Sequence, residues 1–200
     1  MENPLKYFLP VYLAAYFFAA FFWRSYAVWK RTNVNPLVFK GSDNSHDYIG
    51  RVFKLMFGAI VAVVVIYSTS ERLYQYLMPI GWLEPLILQS AGVVLLLMSL
   101  AWTVVAEAQM GESWRIGIDQ DHRTPLVRKG VFGLSRNPIF LGMMITLLGL
   151  FLVIPNTLTL LTFVMGVVLI QIQVRLEEEF LGRVHGEEYA EYRRNVRRWL

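Results

Sequence analysis

The sequence predicts an all-α integral membrane protein with about five transmembrane helices and a cytoplasmic, amphipathic C-terminal helix. Hydrophobic residues make up 56% of the 200-residue chain, and the mean hydropathy is +0.43. These values are too apolar for a soluble domain of this size. Several apolar runs approach the roughly 20 residues that cross a bilayer core. Lysine and arginine collect in alternate connections between these runs, as the positive-inside rule describes.

The first predicted span covers about residues 5–23. It contains two alanine pairs of the kind found before a signal-peptide cleavage site, but the bulky Phe21, Phe22 and Trp23 follow them. Small residues are required at such a site, so we expect this helix to remain in the protein.

Four further spans are predicted at about 52–70, 86–106, 138–154 and 158–175 because each run is apolar and bounded by turn-forming residues. The connection between the last two is too short for anything but a helical hairpin. We expect one membrane domain over residues 1–200, in which about 111–197 forms the cofactor-binding part.

The polar connections contain no pattern typical of a metal site. His46 lies near Asp43 and Asp47, but no second pair of ligands has metal-site spacing, so a solvated loop is the better interpretation and no metal is expected. The chain has no cysteine, which excludes disulfides and thiolate nucleophiles.

The distribution of positive charge predicts the topology. Basic residues occupy the connection after the first span, the loop before Pro138 and the C-terminal region, whereas only Lys6 and Arg72 lie on the other side. This places the N-terminus outside and the C-terminus in the cytoplasm, in the cell membrane of a prokaryote or the endoplasmic reticulum of a eukaryote. Membrane lipids are therefore the expected partners of these charges, and nucleic acid is not. In the C-terminal helix, Tyr189 and Tyr192 recur at helical spacing among arginines, which predicts a helix that lies on an anionic membrane face.

A basic loop turns directly into an apolar helix at Asn137-Pro138. The residue before a proline avoids helical conformation, proline is favoured at the first helical position, and asparagine is a good N-cap. We therefore expect Asn137 to cap a helix that begins at Pro138. Free backbone N–H groups at this helix start, with Arg128, Lys129 and Arg136 nearby, would favour an anionic group.

This stretch resembles the Arg-His-Pro-x-Tyr-x-Gly signature of the isoprenylcysteine carboxyl methyltransferases and their relatives among the membrane phospholipid methyltransferases. It reads Arg136 to Gly142 here, after a Leu-Val-x-x-Gly-x-Tyr segment that reads Leu126 to Phe132. A second block of the family has a glutamate pair, a leucine, and a glycine followed by two tyrosines. Here these are Glu177, Glu178, Leu181, Gly186, Tyr189 and Tyr192. The two blocks are specific in combination.

Three departures from the family pattern affect chemistry. Asn137 replaces the family histidine, so it can donate a hydrogen bond but cannot become charged. Phe132 and Phe140 stand where the family usually has tyrosine. Gln173 replaces an arginine that is expected to orient the methyl acceptor, which leaves the acceptor's identity open.

The resemblance implies transfer of a methyl group from S-adenosylmethionine to a lipophilic small molecule or a lipidated substrate. The residues that it assigns to the cofactor are Leu126, Val127, Gly130, Phe132, Arg136, Asn137, Pro138, Phe140, Gly142, Glu177 and Glu178. Arg175 or Arg115 would replace the missing family arginine. Glu107 would serve as a general base if the acceptor must lose a proton.

Several of these residues have a second interpretation. Glu177 and Glu178 are about 100° apart around a helix, so they cannot both face one point. One can pair locally, as Glu179 can with Arg183 four residues on, while the other faces a ligand, or both can lie in a solvated turn. Glu107 is either functional or reaches the headgroups at the end of its span. Gly142 shares a helix face with Gly149, which suits helix packing or the close approach of a cofactor.

Two other function classes stay open. Membrane sterol reductases look similar near their C-terminal Arg-His-x-x-Tyr segment, and binding of NADPH without S-adenosylmethionine would select that class. A non-catalytic membrane subunit that kept the fold and lost the histidine would bind neither nucleotide.

Overall fold

The predicted all-α fold is confirmed. The structure is a computed structural model that describes residues 3–33, 45–114 and 125–200. In chain order the helices are α1 (Leu5–Phe17), α2 (Arg24–Thr32), α3 (Ser45–Thr69), α4 (Glu71–Gln75), α5 (Leu86–Met110), α6 (Pro138–Val153), α7 (Thr157–His185) and α8 (Glu187–Asn195). Two sets of predicted residues lie outside the side chains that the structure describes. They are Asp43, His46 and Asp47 of the predicted solvated loop, and Arg115, the predicted substrate residue.

The chain is an integral membrane protein. Within the described ranges, four helices are long and apolar enough to cross a membrane, and these are Leu5–Thr32, Tyr48–Thr69, Leu86–Met110 and Thr157–His185. The remaining predicted span, Pro138–Val153, is apolar but has only 16 residues.

Helix α3 begins at Ser45 instead of about residue 52, and α5 reaches Met110 instead of about residue 106. Two other helices continue much farther beyond their predicted ends. A π-helical turn at Phe18–Trp23 joins α1 to α2, so the first helix reaches Thr32 instead of residue 23. Helix α7 reaches His185 instead of about residue 175. The predictions followed the apolar stretch, whereas helical hydrogen bonding continues through polar residues that are good helix formers.

Helices α5 and α6 pack closely because glycines lie between them. A Cβ on Gly92 would lie 2.8 Å from the carbonyl oxygen of Gly149, and a Cβ on Gly142 would overlap the hydroxyl of Thr103. Small residues let two helix backbones approach each other in a membrane. The glycine face predicted for Gly142 and Gly149 is therefore a helix-packing face.

The predicted hairpin joins α6 to α7 through a capping box. Asn156 Oδ1 accepts hydrogen bonds from the backbone N–H groups of Leu158 and Thr159 at 3.0 Å, and the Thr159 hydroxyl accepts one from the Asn156 N–H at 3.1 Å. Two donors that a helix start leaves free are thereby satisfied. Asn156 is completely buried, so this turn is part of the core.

Different parts of the chain lie at the two ends of the bundle. The hairpin turn and the Lys6–Glu71 ion pair, at 3.4 Å, lie at one end. The start of α6, the last turns of α7 and α8 lie at the other, which we call the Asn137 end. The two sequence blocks that carry the family resemblance therefore meet at one end of the bundle.

Helix α8 packs differently from what its amphipathic pattern suggested. We expected its aromatic residues to lie on the membrane surface, but Tyr189 and Tyr192 are each only 4% exposed. The Tyr192 hydroxyl donates a hydrogen bond to the Phe132 carbonyl at 2.6 Å. The face of α8 that carries these two tyrosines is buried because the turn before α6 covers it.

Candidate active site

Helix α6 begins at Pro138, as the sequence predicts, but the predicted side-chain cap is wrong. Asn137 occupies the N-cap position without a capping hydrogen bond from its side chain. Its Nδ2 instead donates to Glu178 Oε1 at 3.1 Å and to the Arg198 carbonyl at 3.3 Å. These two acceptors fix the amide across the gap between α6 and α7, so it is not turned toward its own helix.

Glu178 is the centre of a buried ionic cluster. Its Oε1 accepts from Arg136 Nη2, Asn137 Nδ2 and Arg198 Nε, each at 3.1 Å. Its Oε2 accepts from Arg198 Nη2 at 2.8 Å and from Arg198 Nε at 3.3 Å. We call Arg136, Asn137, Glu178 and Arg198 the Glu178 cluster.

Burial makes the geometry of this cluster important. Glu178 and Asn137 are each 7% exposed, and a buried carboxylate is tolerated only when it is paired and hydrogen-bonded. Charge-assisted bonds to guanidinium groups are the strongest available partners. The hydrogen bonds that Arg198 donates to Glu178 raise the pKa of Arg198 above its ordinary value. Glu178 is therefore fully occupied by the protein's own side chains.

Arg136 connects the cluster to the segment that follows α8. Its Nη1 donates to the carbonyls of Val196 at 2.6 Å and Arg193 at 3.2 Å, and its backbone N–H donates to the Arg197 carbonyl at 3.0 Å. The side chain is 7% exposed. Arg136 thus joins the start of α6 to residues 193–197 through hydrogen bonds.

Glu177 contrasts with its neighbour. It is half-buried, and among the described residues no side chain or backbone group forms a hydrogen bond or ion pair with its carboxylate. Of the two arrangements considered for the glutamate pair, the one with a paired and an open carboxylate fits, but the partners of Glu178 are distant in the sequence and not local as predicted. The predicted pair of Glu179 with Arg183, one helical turn on, is also present at 3.3 Å.

Two further polar groups near the cluster form no well-aligned hydrogen bond within the part of the chain that the structure describes. They are Arg136 Nε and the Tyr189 hydroxyl, both fully buried. Burial raises the pKa of Tyr189 to about 12, so the hydroxyl is neutral under ordinary conditions and acts only through hydrogen bonds. Buried polar groups without partners are rare, because each one loses its bonds to water.

The turn before α6 is built on Gly130. This glycine has a φ of +65°, a backbone conformation that residues with a side chain rarely adopt. Gln109, at the end of α5, packs against it and accepts a hydrogen bond from the Val131 N–H at 2.8 Å. Leu126 and Val127, which precede the turn, are half-buried.

The first turns of α6 are held by packing. The Pro138 carbonyl accepts a hydrogen bond from Trp102 Nε1 of α5 at 2.8 Å. Phe140 and Trp199 each pack against a buried apolar cluster, which is formed by Leu147, Ile170 and Val174. Among the residues that the resemblance assigns to the cofactor, Phe140 and Gly142 thus have packing roles that explain their presence.

Glu107 lies on the same face of α5 as Thr103, one turn nearer the Asn137 end. It is 5% exposed, and the side chains that face it are Trp114, which forms a hydrogen bond with it, and the positively charged Arg24 of α2. Glu107 is thus a buried acid whose neighbours are an aromatic N–H and a cation of the protein itself.

Arg175 is not brought to the Glu178 cluster. It is exposed on α7, and its Nη1 bonds to the carbonyl and to Oε1 of Gln171, one turn earlier, the latter at 3.0 Å.

Sequence reasoning missed Arg198 and the segment around it. No local pattern could have identified Arg198, because its partner Glu178 is 20 residues earlier and the chain reverses at Gly186 between them. Gly186, with a φ of +54°, ends α7 and lets α8 turn back. Such a glycine is the one signal in the sequence for that reversal.

The chain matches the family model described as "PEMT: Phospholipid methyltransferase" over residues 87–188, which is 102 of its 200 residues. No curated protein and no solved structure matches the chain. The matched range contains all of α5 except its first residue, the whole of α6, and the whole of α7 with Glu178. The chain therefore belongs to the phospholipid methyltransferase family of integral membrane methyltransferases.

Proposed function

We propose that the protein transfers the methyl group of S-adenosylmethionine to a lipophilic acceptor, and that the donor is held at the Asn137 end. The observation that carries this proposal is Glu177, a half-buried carboxylate with no partner among the described residues, beside a glutamate whose partners are all supplied by the protein. A carboxylate of this kind suits a ligand that brings an ammonium group or hydroxyls.

The polar groups at this end fit an amino-acid nucleoside. Glu177 would accept from its ammonium group or its ribose hydroxyls. Arg136 Nε and the Tyr189 hydroxyl, which lack partners in the structure, would donate to its carboxylate. Glu178 and Asn137 would hold the walls of the site through their mutual bond. The turn from Leu126 to Phe132 would form the remaining wall.

The chemistry asks little of the protein beyond positioning. S-adenosylmethionine supplies a methyl group that is already activated by its sulfonium charge. The protein must hold the acceptor in line with that group and exclude water. A carboxylate acceptor needs no base, whereas an amine, phenol or thiol must lose a proton. Glu107, which is buried at the level of the α6 start, is the carboxylate we assign to that proton.

The acceptor would enter from the membrane. The donor side of the site faces water at the Asn137 end, and the rest of the bundle is enclosed by lipid. An acceptor with an apolar body would therefore reach Glu107 between helices, with Arg115 or Arg175 holding any negative group it carries. By the positive-inside rule, the Asn137 end would face the cytoplasm, where the donor is soluble.

Calorimetric titration of S-adenosylmethionine into the full chain, purified in detergent, tests the proposal. We expect Glu177→Ala to weaken binding by about 1.5 kcal/mol or more, which is at least about tenfold. The matched control is Glu179→Ala, which removes an exposed carboxylate two residues away and should change the affinity less than about twofold. Absence of binding heat with the unaltered chain, or equal affinity of both variants, would overturn the proposal. Binding of NADPH instead would favour a reductase.

A further inference from the structure

Residues Val196–Leu200, which we call the strap, cross the Asn137 end and bond to it through three successive carbonyls. The Val196 carbonyl accepts from Arg136 Nη1 at 2.6 Å, and the Arg197 carbonyl accepts from the Arg136 N–H at 3.0 Å. The Arg198 carbonyl accepts from the Ser135 hydroxyl at 3.2 Å and from Asn137 Nδ2 at 3.3 Å. Backbone groups of the strap thus fix residues 135–137, just before α6.

The side chains of the strap also attach it to α6 and α7. Trp199 packs on the apolar cluster formed by Leu147, Ile170 and Val174, which joins α6 to α7. Arg198 grips Glu178 through two nitrogen atoms, at 2.8 Å and 3.1 Å. An apolar anchor beside a two-point ionic contact holds the strap at both places, as expected of a permanent part of the site.

Among the described residues, the donors to one oxygen of Glu178 all belong to the strap. Oε1 has donors from Arg136 and Asn137 as well as Arg198, whereas the donors to Oε2 both belong to Arg198. Without Arg198, a carboxylate that is 7% exposed would have an unsatisfied oxygen. It would turn to find another donor and lose its alignment with Asn137.

Loss of Arg198 would also change the electrostatic environment of Glu177. The two carboxylates are adjacent on α7, and their negative charges repel each other. Arg198 and Arg136 balance the charge of Glu178, which leaves Glu177 as the local acceptor for a cationic or hydroxyl-bearing ligand. Loss of Arg198 would remove one of those two balancing charges and misplace the cluster beside Glu177.

We propose that the strap presets the donor site: Arg198 is a positioning residue that holds Glu178 against Arg136 and Asn137, so that Glu177 stays open to the methyl donor. The proposal rests on the function proposed above. It also states that the strap remains in place when the donor binds.

Three variants test this positioning role in calorimetric titrations of S-adenosylmethionine into the full chain. Arg198→Ala should weaken binding about tenfold, and Arg198→Lys should recover part of the loss because it restores the charge without the two-point grip. Arg194→Ala is the matched control, since Arg194 is exposed and has no partner among the described residues. Its affinity should stay within about twofold of that of the unaltered chain.

A double-mutant cycle separates positioning from a general loss of structure. If Arg198 acts through Glu178, then Arg198→Ala should cost less than about twofold when added to Glu178→Gln, because the charge to be held is already gone. An equal loss in both backgrounds would overturn the proposal.

Hydrogen exchange of the peptide that contains Arg136 tests whether Arg198 holds the strap in place, independently of the affinity for the donor. The Arg136 N–H is bonded to the Arg197 carbonyl, so it should exchange faster in Arg198→Ala than in Arg194→Ala. Addition of S-adenosylmethionine to the unaltered chain should leave it protected. Equal exchange in the two variants, or deprotection by the donor, would overturn the proposal. Absence of binding heat in the unaltered chain would instead reject the proposed function.

Discussion

Asn137 and Glu178 are 41 positions apart in the sequence, and the side-chain amide of the first donates to the carboxylate of the second at 3.1 Å. This bond joins the start of α6 to the end of α7. It brings the two family-like blocks of the sequence to a single place at one end of the membrane bundle. The following predictions test how that place is built and what depends on it.

Removal of the central carboxylate should destabilise the protein more than removal of its neighbour. Glu178→Ala would leave the buried Arg136 without its ion pair, and we expect a loss of roughly 3 kcal/mol in unfolding free energy. Glu179→Ala breaks only an exposed pair with Arg183, which is worth about 0.5 kcal/mol. Thermal unfolding in detergent, followed by tryptophan fluorescence, measures both. Equal midpoints for the two variants would contradict the central position of Glu178.

Gly142→Ala should disrupt the contact between α5 and α6. The added methyl would overlap the Thr103 hydroxyl, and overpacking of this kind typically costs about 1–3 kcal/mol. The double variant Gly142→Ala/Thr103→Ala removes the obstructing hydroxyl and should recover most of the loss. Gly58→Ala, where nothing lies within 4 Å of the new Cβ, is the control and should be neutral or slightly stabilising. Failure of the double variant to recover stability would place the cause elsewhere.

Stability should decrease at high pH, in part because of Tyr189. Burial raises the pKa of Tyr189 to about 12, above the value of 10.0 for an exposed tyrosine. Between these values the unfolded chain has lost the proton and the folded chain keeps it, so stability falls as pH rises from about 10 to 12. Tyr189→Phe removes this titration. Because the Tyr189 hydroxyl forms no well-aligned hydrogen bond with any described residue, the variant should be at least as stable as the original protein at pH 8 and should retain more stability at pH 11. Identical pH profiles of the unfolding midpoint would disprove this effect.

The capping box at the opposite end should affect stability without affecting the donor site. Asn156→Ala removes the cap of α7 together with a buried hydrogen bond from Nδ2 to the Ile154 carbonyl. We expect a loss of about 2 kcal/mol. At a temperature where the variant is still folded, its affinity for S-adenosylmethionine should be unchanged in calorimetry. A parallel loss of affinity would mean that binding reports global stability, which would weaken the assignment of individual site residues.

Local and periodic features of the structure were predictable from the sequence. The apolar runs predict the membrane helices, Asn137-Pro138 predicts where α6 begins, and the three residues between α6 and α7 predict the hairpin. The spacing of Glu179 and Arg183 predicts their ion pair. Each of these features depends on residues close together in the chain.

Features that depend on distant partners were not predictable. Asn137 was expected to cap its own helix, but the carboxylate of Glu178 and the carbonyl of Arg198 bind its amide instead. Tyr192 was expected on the membrane surface, but the turn at Phe132 covers it. In both cases a tertiary partner decides the conformation that local propensity left open.

We propose that this membrane methyltransferase uses Glu177 to hold S-adenosylmethionine, whose methyl group it transfers to a lipophilic acceptor. The decisive measurement is the transfer of a labelled methyl group from S-adenosylmethionine into the solvent-extractable lipid fraction, by membranes that contain the chain. We expect label in that fraction with the unaltered chain and with Glu179→Ala, and at least about a tenfold loss with Glu177→Ala at a subsaturating donor concentration. Equal labelling by Glu177→Ala, or no label in the lipid fraction with the unaltered chain, would contradict it.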